Sequence, residues 1–382
     1  MHLPPPSGTE YSFMTPFLRK VLSMNWLLIG SMLALAVFGV IAIDSCTYMQ
    51  PSPAYLLMWR KQTVWIGIST VAFIGLSLLD YRWIRRGALP MYVAGIVFLI
   101  LTLLIGVKKD GARCWLHLGP IQFQPAQFAV IAGVLMLALF LSQFRAIHPM
   151  LKLLAAGVIV AAPALLILIQ PDFGEFAVWI PILFAMLFMA RMPLRYLIAV
   201  AIIGTGSLPV MYFFKLKPYQ RERIVAFADP EINPQGAAWA VNQTLIAVGS
   251  GRWSGKGFKA PDTRVEQGYV PRTTVPNDYI FAAIGEQWGF VGGSILIACF
   301  GLLLGTCFYI MSRARDLLGL LLCVGITTLI FTHVFQNIGM TIGIMPVTGV
   351  PLPLISYSGS FVLMIMFGLG LINSVWVHRV RD

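Results

Sequence analysis

The stretch from Asn25 to Asp44 reads NWLLIGSMLALAVFGVIAID, with no ionisable side chain between its ends. A helix rises about 1.5 Å per residue, so a run of this length matches the roughly 30 Å hydrocarbon core of a bilayer. Comparable runs recur toward the C-terminus, near 23–45, 62–80, 88–107, 125–143, 151–170, 174–190, 195–214, 279–311, 317–345 and 359–377. Composition agrees: 58% of the 382 residues are hydrophobic and 11% are charged, against about a quarter charged in soluble domains. A soluble fold is excluded. The expected class is an all-α polytopic membrane protein of about ten transmembrane helices. The eighth and ninth runs exceed what a span needs, so each is expected to tilt or to project beyond the bilayer.

In a soluble chain the net charge of +12 would suggest nucleic acid. Here the basic residues cluster between apolar runs, which is a topology signal, and no nucleic acid is expected. With the N-terminus cytoplasmic, the inner segments hold 13 of the 27 basic residues: Arg19, Lys20, Arg82, Arg85, Arg86, Arg145, Lys152, Arg191, Arg195, Arg313, Arg315, Arg379 and Arg381. The short outer loops hold five: Arg60, Lys61, Lys108, Lys109 and Arg113. The other nine lie in one long segment, 215–278, which the positive-inside rule leaves out of the count. Both termini are therefore expected to be cytoplasmic and the long loop external. Residues 1–22 read as a cytoplasmic tail without a cleavable signal peptide, and 23–382 as one membrane domain. Within the loop, Tyr219–Ala228 and Ala237–Val248 read as short helices, the second stopped by Gly249-Ser250-Gly251. The five cysteines lack metal-ligand spacing and are assigned no chemistry.

Ionisable residues at membrane depth mark candidate sites, because burying charge in hydrocarbon is costly. Asp172, Glu175, Asp278, Glu286 and His333 stand out. Asp278 begins the eighth run, where it reads either as an N-cap or as a reactive carboxylate. Glu286, about 12 Å deeper, cannot cap and requires a partner or a watery cavity. Asp172 and Glu175 share a helix's first turn, and His333, Gln336 and Asn337 read as interhelical hydrogen-bonding groups. In the long loop, Gly249, Gly251, Gly255 and Gly257 around Lys256 read as either solvated surface or a cradle for a phosphorylated ligand. The surroundings of Lys256 lack a P-loop's strand and its Ser or Thr, so no nucleotide is expected.

Several segments resemble the SEDS (shape, elongation, division and sporulation) family of peptidoglycan glycosyltransferases. They are Lys217-Pro218-Tyr219-Gln220 through Asp229-Pro230-Glu231, Asn242–Gly251 with Gly255-Lys256-Gly257, Gly111–Trp115 with Gln124-Pro125, Gln170–Gly174, Asn337–Met340, Met345–Pro353 and Ile355-Ser356-Tyr357. The Lys-Pro-Tyr-Gln and Pro-Val-Thr-Gly runs are similar to the rod-shape branch more than to the division branch. The chain departs from the family at Gln127 and Val130, where a Glu and Lys are usual, and at Pro276-Asn277, Gln287, Glu175 and Ser358.

The resemblance implies polymerisation of lipid II, carried on undecaprenyl pyrophosphate, at the outer face of the bacterial cytoplasmic (inner) membrane. It implies Asp278 as the essential catalytic carboxylate. It also implies a class B penicillin-binding transpeptidase and other elongation-complex membrane proteins as partners. Arg113, Trp115, Gln124, Asp172, Lys256, Glu286 and Ser356 are the candidate substrate-binding residues. A divalent cation, Mg or Mn, could assist the pyrophosphate leaving group; no nucleotide or redox cofactor is expected. Two readings compete with polymerisation: a flippase for lipid-linked precursors, and a noncatalytic scaffold of the elongation complex.

Overall fold

The computed structural model describes residues 16–49, 53–109, 112–119, 121–214 and 237–379, together with 221, 224, 225 and 227–229. Half of the expected helix Tyr219–Ala228 lies outside these residues; the other half, Arg221, Ile224, Val225, Phe227 and Ala228, is helical.

Every expected apolar run is a helix. After α1 (Pro16–Leu22) come α2 (Trp26–Thr47), α3 (Pro53–Leu56), α4 (Met58–Leu78), α5 (Ile84–Ile105), α6 (Pro125–Gln143), α7 (Pro149–Ile169), α8 (Phe173–Met189) and α9 (Leu194–Phe214). The loop helix α10 (Ala237–Ser250) leads to α11 (Ile280–Ser312), α12 (Leu317–Thr341) and α13 (Gly359–Val377). Eight of the described helices are long and apolar enough to cross a membrane, and α8 is a shorter apolar one. Arg60 and Lys61, expected in a loop, fall in the first turn of α4.

Helices α6, α12 and α13 are the most enclosed. Close approach explains several small residues: a methyl group on Gly133 of α6 would lie 2.2 Å from the buried Trp179 ring of α8. Outside the bundle, Val71, Val158 and Ile203 are about 70% exposed. In water such a surface would drive association; in lipid it is the favoured arrangement. At one end the Asn25 side chain caps α2, and its backbone N–H donates to Asn373 Oδ1 of α13 at 3.0 Å.

Two features depart from plain spans and loops. The 33-residue α11 is accommodated by a break at Gly289 (φ 65°, ψ −160°), a conformation essentially confined to glycine. The segment after α5 forms a small antiparallel sheet, β1 (Val107–Lys109), β2 (Ala112–Leu118) and β3 (Ile121–Phe123), in the order β1-β2-β3. Alternation along β2 buries Cys114 and Leu116 and exposes Arg113 and His117, as a strand with one covered face requires. Runs this short are hard to tell from loop by composition.

Candidate active site at the ends of the helices

Asp278 sits in a turn that is fastened from several sides. The Thr274 carbonyl accepts the N–H groups of Asn277, Asp278 and Tyr279 at 3.1, 2.8 and 3.2 Å. From α12, Asn337 Nδ2 donates to the Asp278 carbonyl at 2.8 Å and to the Val350 carbonyl at 2.7 Å. From the segment before α13, the Ser356 hydroxyl donates to the Asn277 carbonyl and accepts the Leu352 N–H at 2.8 Å. The Tyr357 N–H donates to the Pro276 carbonyl, also at 2.8 Å. The N-cap position of α11 falls on Tyr279, with no side-chain capping bond, so Asp278 lies outside the helix. Its side chain is half-buried and faces Gly349 (φ 69°), where an added methyl group would lie 3.6 Å from Asp278 Oδ2.

A second group forms around Asp172, the N-cap of α8, whose Oδ1 accepts the Glu175 N–H at 3.1 Å. A directional chain of donors ends on its other oxygen. Ser360 donates to Gln127 Oε1 at 2.9 Å, Gln127 Nε2 to Gln124 Oε1 at 2.9 Å, and Gln124 Nε2 to Asp172 Oδ2 at 3.1 Å. Gln124, Gln127 and Ser360 are buried, as is Val130, one turn along α6. The first and second groups meet at Thr348–Val350: a methyl group on Gly174 would lie 2.4 Å from Val350 Cγ1 and 2.7 Å from the Thr348 carbonyl oxygen. The loop between Met345 and Pro353 thus lies between the turn of Asp278 and the start of α8.

The third group joins the long loop to the break in α11. Carbonyls freed at the break accept loop amides, Lys256 N–H on Glu286 and Gly257 N–H on Gln287, both at 3.0 Å. In return, the N–H groups of Phe290 and Val291 donate to the Arg252 and Trp253 carbonyls at 2.9 and 3.1 Å. Such contacts let a broken helix persist where water is scarce. Side chains on Gly251 and Gly255 would collide with the Gly285 and Gln287 carbonyls, at 1.9 and 2.2 Å, so these glycines permit contact between two backbones.

Glu286 is fully buried and accepts from Lys256 Nζ at 2.8 Å, Ser250 Oγ at 3.1 Å, Arg264 N at 2.7 Å and Val265 N at 3.2 Å. The partner that its depth demands is therefore Lys256. Nearby, Lys259 Nζ pairs with Asp44 Oδ2 of α2 at 2.8 Å. Glu266, which sequence reasoning missed, is buried in the same loop. Burial chiefly, and the Glu286 charge, push its carboxyl up to about 7, against the opposing pull of Arg272 and Lys259. Nothing in its local sequence signals this, because the burial is created by the folded loop.

The structure brings Ser356 to the Asp278 turn, Gln124 to Asp172, and Lys256 to Glu286. Arg113 and Trp115 ride on the sheet, which meets the second group through Cys114, its Sγ 3.7 Å from the Gln170 carbonyl. Arg113 is exposed, its Nη1 3.5 Å from the Leu103 carbonyl. Among the described residues, no three His, Cys, Asp or Glu side chains are placed to share a metal ion.

A bundle of apolar helices, with carboxylates fastened at the ends of its helices beside a folded polar loop, defines a multi-pass membrane protein. The chain belongs to the FtsW/RodA/SpoVE family, whose model, described as a cell cycle protein, matches residues 24–381. It is 31% identical to the peptidoglycan glycosyltransferase RodA of Treponema pallidum, over 94% of this chain and 98% of that protein. It is 34% identical to the peptidoglycan glycosyltransferase MrdB of Escherichia coli K12, over 91% of this chain and 92% of that protein. Among solved structures, it resembles a chain from a study of structural coordination of polymerization and crosslinking by a peptidoglycan synthase complex. That match has a TM-score of 0.79 and 28% identity, over 94% of this chain and all of that one. It also resembles the rod shape determining protein RodA of Thermus thermophilus, with a TM-score of 0.69 and 26% identity over 94% of this chain and 99% of that chain.

Proposed function

We propose that this protein is a peptidoglycan glycosyltransferase that polymerises lipid II into glycan strands at the outer face of the bacterial cytoplasmic membrane during cell elongation. One observation carries the mechanism: the carboxylate of Asp278 projects from a turn whose backbone is held by Asn337, Ser356 and Tyr357, one residue before the N-cap of α11. A base fixed in this way does not need to be ordered at the moment of reaction. Asp278 removes the proton from the acceptor sugar's 4-hydroxyl as that oxygen attacks the donor's anomeric carbon. The bond to undecaprenyl pyrophosphate breaks, with inversion and no covalent enzyme intermediate.

The leaving group carries the developing negative charge, and the exposed guanidinium of Arg113 is available to it. Lys256 is engaged by Glu286, so it serves this reaction by holding the loop. The likeness to a chain of a peptidoglycan synthase complex supports partnership with a class B penicillin-binding transpeptidase.

The test is to give the purified protein, with and without its cognate transpeptidase, labelled lipid II and to separate the products by size. A ladder of glycan polymer is expected. Intact lipid II moved across vesicle bilayers without polymer would establish the flippase reading instead, and neither product would leave the scaffold.

A further inference from the structure

The bundle contains a buried Glu–His pair that the mechanism above does not use. Glu175 in the first turn of α8 faces His333 of α12, with Oε1 and Nε2 3.7 Å apart and side-chain exposures of 3% and 1%. That separation is within ion-pair reach and is too long for a direct hydrogen bond. Both carboxylate oxygens of Glu175 and Nε2 of His333 lack any hydrogen-bond partner among the described residues. His333 Nδ1 lies 3.0 Å from the Leu329 carbonyl, which can only accept, so Nδ1 carries a proton. Among the described residues the two groups are thus each other's nearest polar partners across the α8–α12 contact.

The pair's position suggests what it does. Asn337 is one turn beyond His333 on α12, and its Nδ2 holds the carbonyls of Asp278 and Val350. Gly174, beside Glu175, packs on Val350 and Thr348. The Phe361 ring of α13 lies against His333, with ring centroids 4.9 Å apart. Rotation or sliding of α12 against α8 would therefore carry Asn337, and with it the turn of Asp278.

We infer that Glu175 and His333 form a buried polar brace that sets α12 against α8 and so positions Asp278 through Asn337. Both are positioning residues. Their effect on rate rests on the reading of Asp278 as the base.

The test compares Glu175→Gln with the double variant Glu175→Leu/His333→Leu. The amide of the first can donate toward Nε2 of His333, which keeps a polar contact across the helices. The second buries no charge and folds without leaving an orphaned partner. Hydrogen exchange at the amides of residues 277–279 reads the brace independently of catalysis. The double variant should exchange there at least tenfold faster and lose at least tenfold in kcat with KM unchanged, while Glu175→Gln stays within threefold of the parent in both. Parental exchange in the double variant, or equal impairment of Glu175→Gln, would overturn the brace. Faster exchange with parental kcat would leave the brace in place and remove Asp278 as the base.

Discussion

Replacing Lys256 by Met isolates the most exposed strut of the loop. Glu286 is fully buried, and Lys256 Nζ is the only cationic group among the four donors found on its carboxylate. Removing one partner of a buried pair typically costs about 3–5 kcal/mol, because the other charge is left uncompensated. Here three neutral donors remain and the Lys256 side chain is 23% exposed, so about 2–3 kcal/mol is expected. The loss falls on the contact between the loop and α11. The amides of Lys256 and Gly257, which donate to carbonyls at the helix break, should therefore exchange roughly 30- to 150-fold faster. Adding Glu286→Gln should return most of that protection, since no charge is then buried alone. Exchange within threefold of the parent, coupled with a higher lipid II requirement, would refute this reasoning. It would restore Lys256 to the phosphate-binding role that its glycine-flanked setting suggests.

Further predictions concern the relay, the helix break and the loop carboxyl. Gln127→Glu removes the donor to Gln124 and places a carboxylate against the Ser360–Asp172 chain, so it should cost about 1–3 kcal/mol in thermal stability. Adding Val130→Lys one turn away should recover part of the loss, and equal melting of the single and double variants would show the two positions to be uncoupled. Gly289→Ala would place a methyl group 2.3 Å from the Gly255 nitrogen at a positive φ, and should expose residues 250–260 to limited proteolysis while leaving the transmembrane helices protected. The raised carboxyl of Glu266 makes the folded state bind more protons than the unfolded state between its ordinary value of 4.5 and about 7. Stability therefore falls as pH rises through that window, by up to about 3 kcal/mol. Glu266→Gln should raise the melting temperature at pH 8 and leave it unchanged at pH 4; an unaltered pH slope would contradict this.

The helices were legible because hydrocarbon imposes a length and a composition that few other environments require, and each of the ten apolar runs is helical. The sheet at 107–123 was not, since alternation over three to seven residues is weak against the background of a loop. Asp278 could be picked out as a carboxylate at a helix start, yet spacing alone could not separate a cap from a base. The separation depends on where α11 begins, at Ile280, and on distant groups such as Asn337 and Ser356. The depth of Glu286 correctly demanded a partner, but Lys256 lies 30 residues away through a loop whose path is fixed by tertiary contact. The same loop explains the break at Gly289. A single glycine in an apolar helix seldom breaks it; here backbone groups from Arg252 to Gly257 take up the hydrogen bonds that the break releases.

The central claim is that Asp278 acts as a proton acceptor from a turn whose backbone is held by other residues. The substitution Asp278→Asn is nearly isosteric, and the backbone of the turn is held by Thr274, Asn337, Ser356 and Tyr357 whichever side chain is present. The decisive measurement is the initial rate of glycan polymerisation from labelled lipid II by the variant and the parent, each with the cognate transpeptidase, alongside their melting temperatures. Removing a general base typically costs about 10²–10⁴ in rate, so the variant should polymerise at least about a hundredfold more slowly with an unchanged melting temperature and intact lipid II binding. A rate within a few-fold of the parent would contradict the account and turn attention to Glu175 or Asp172.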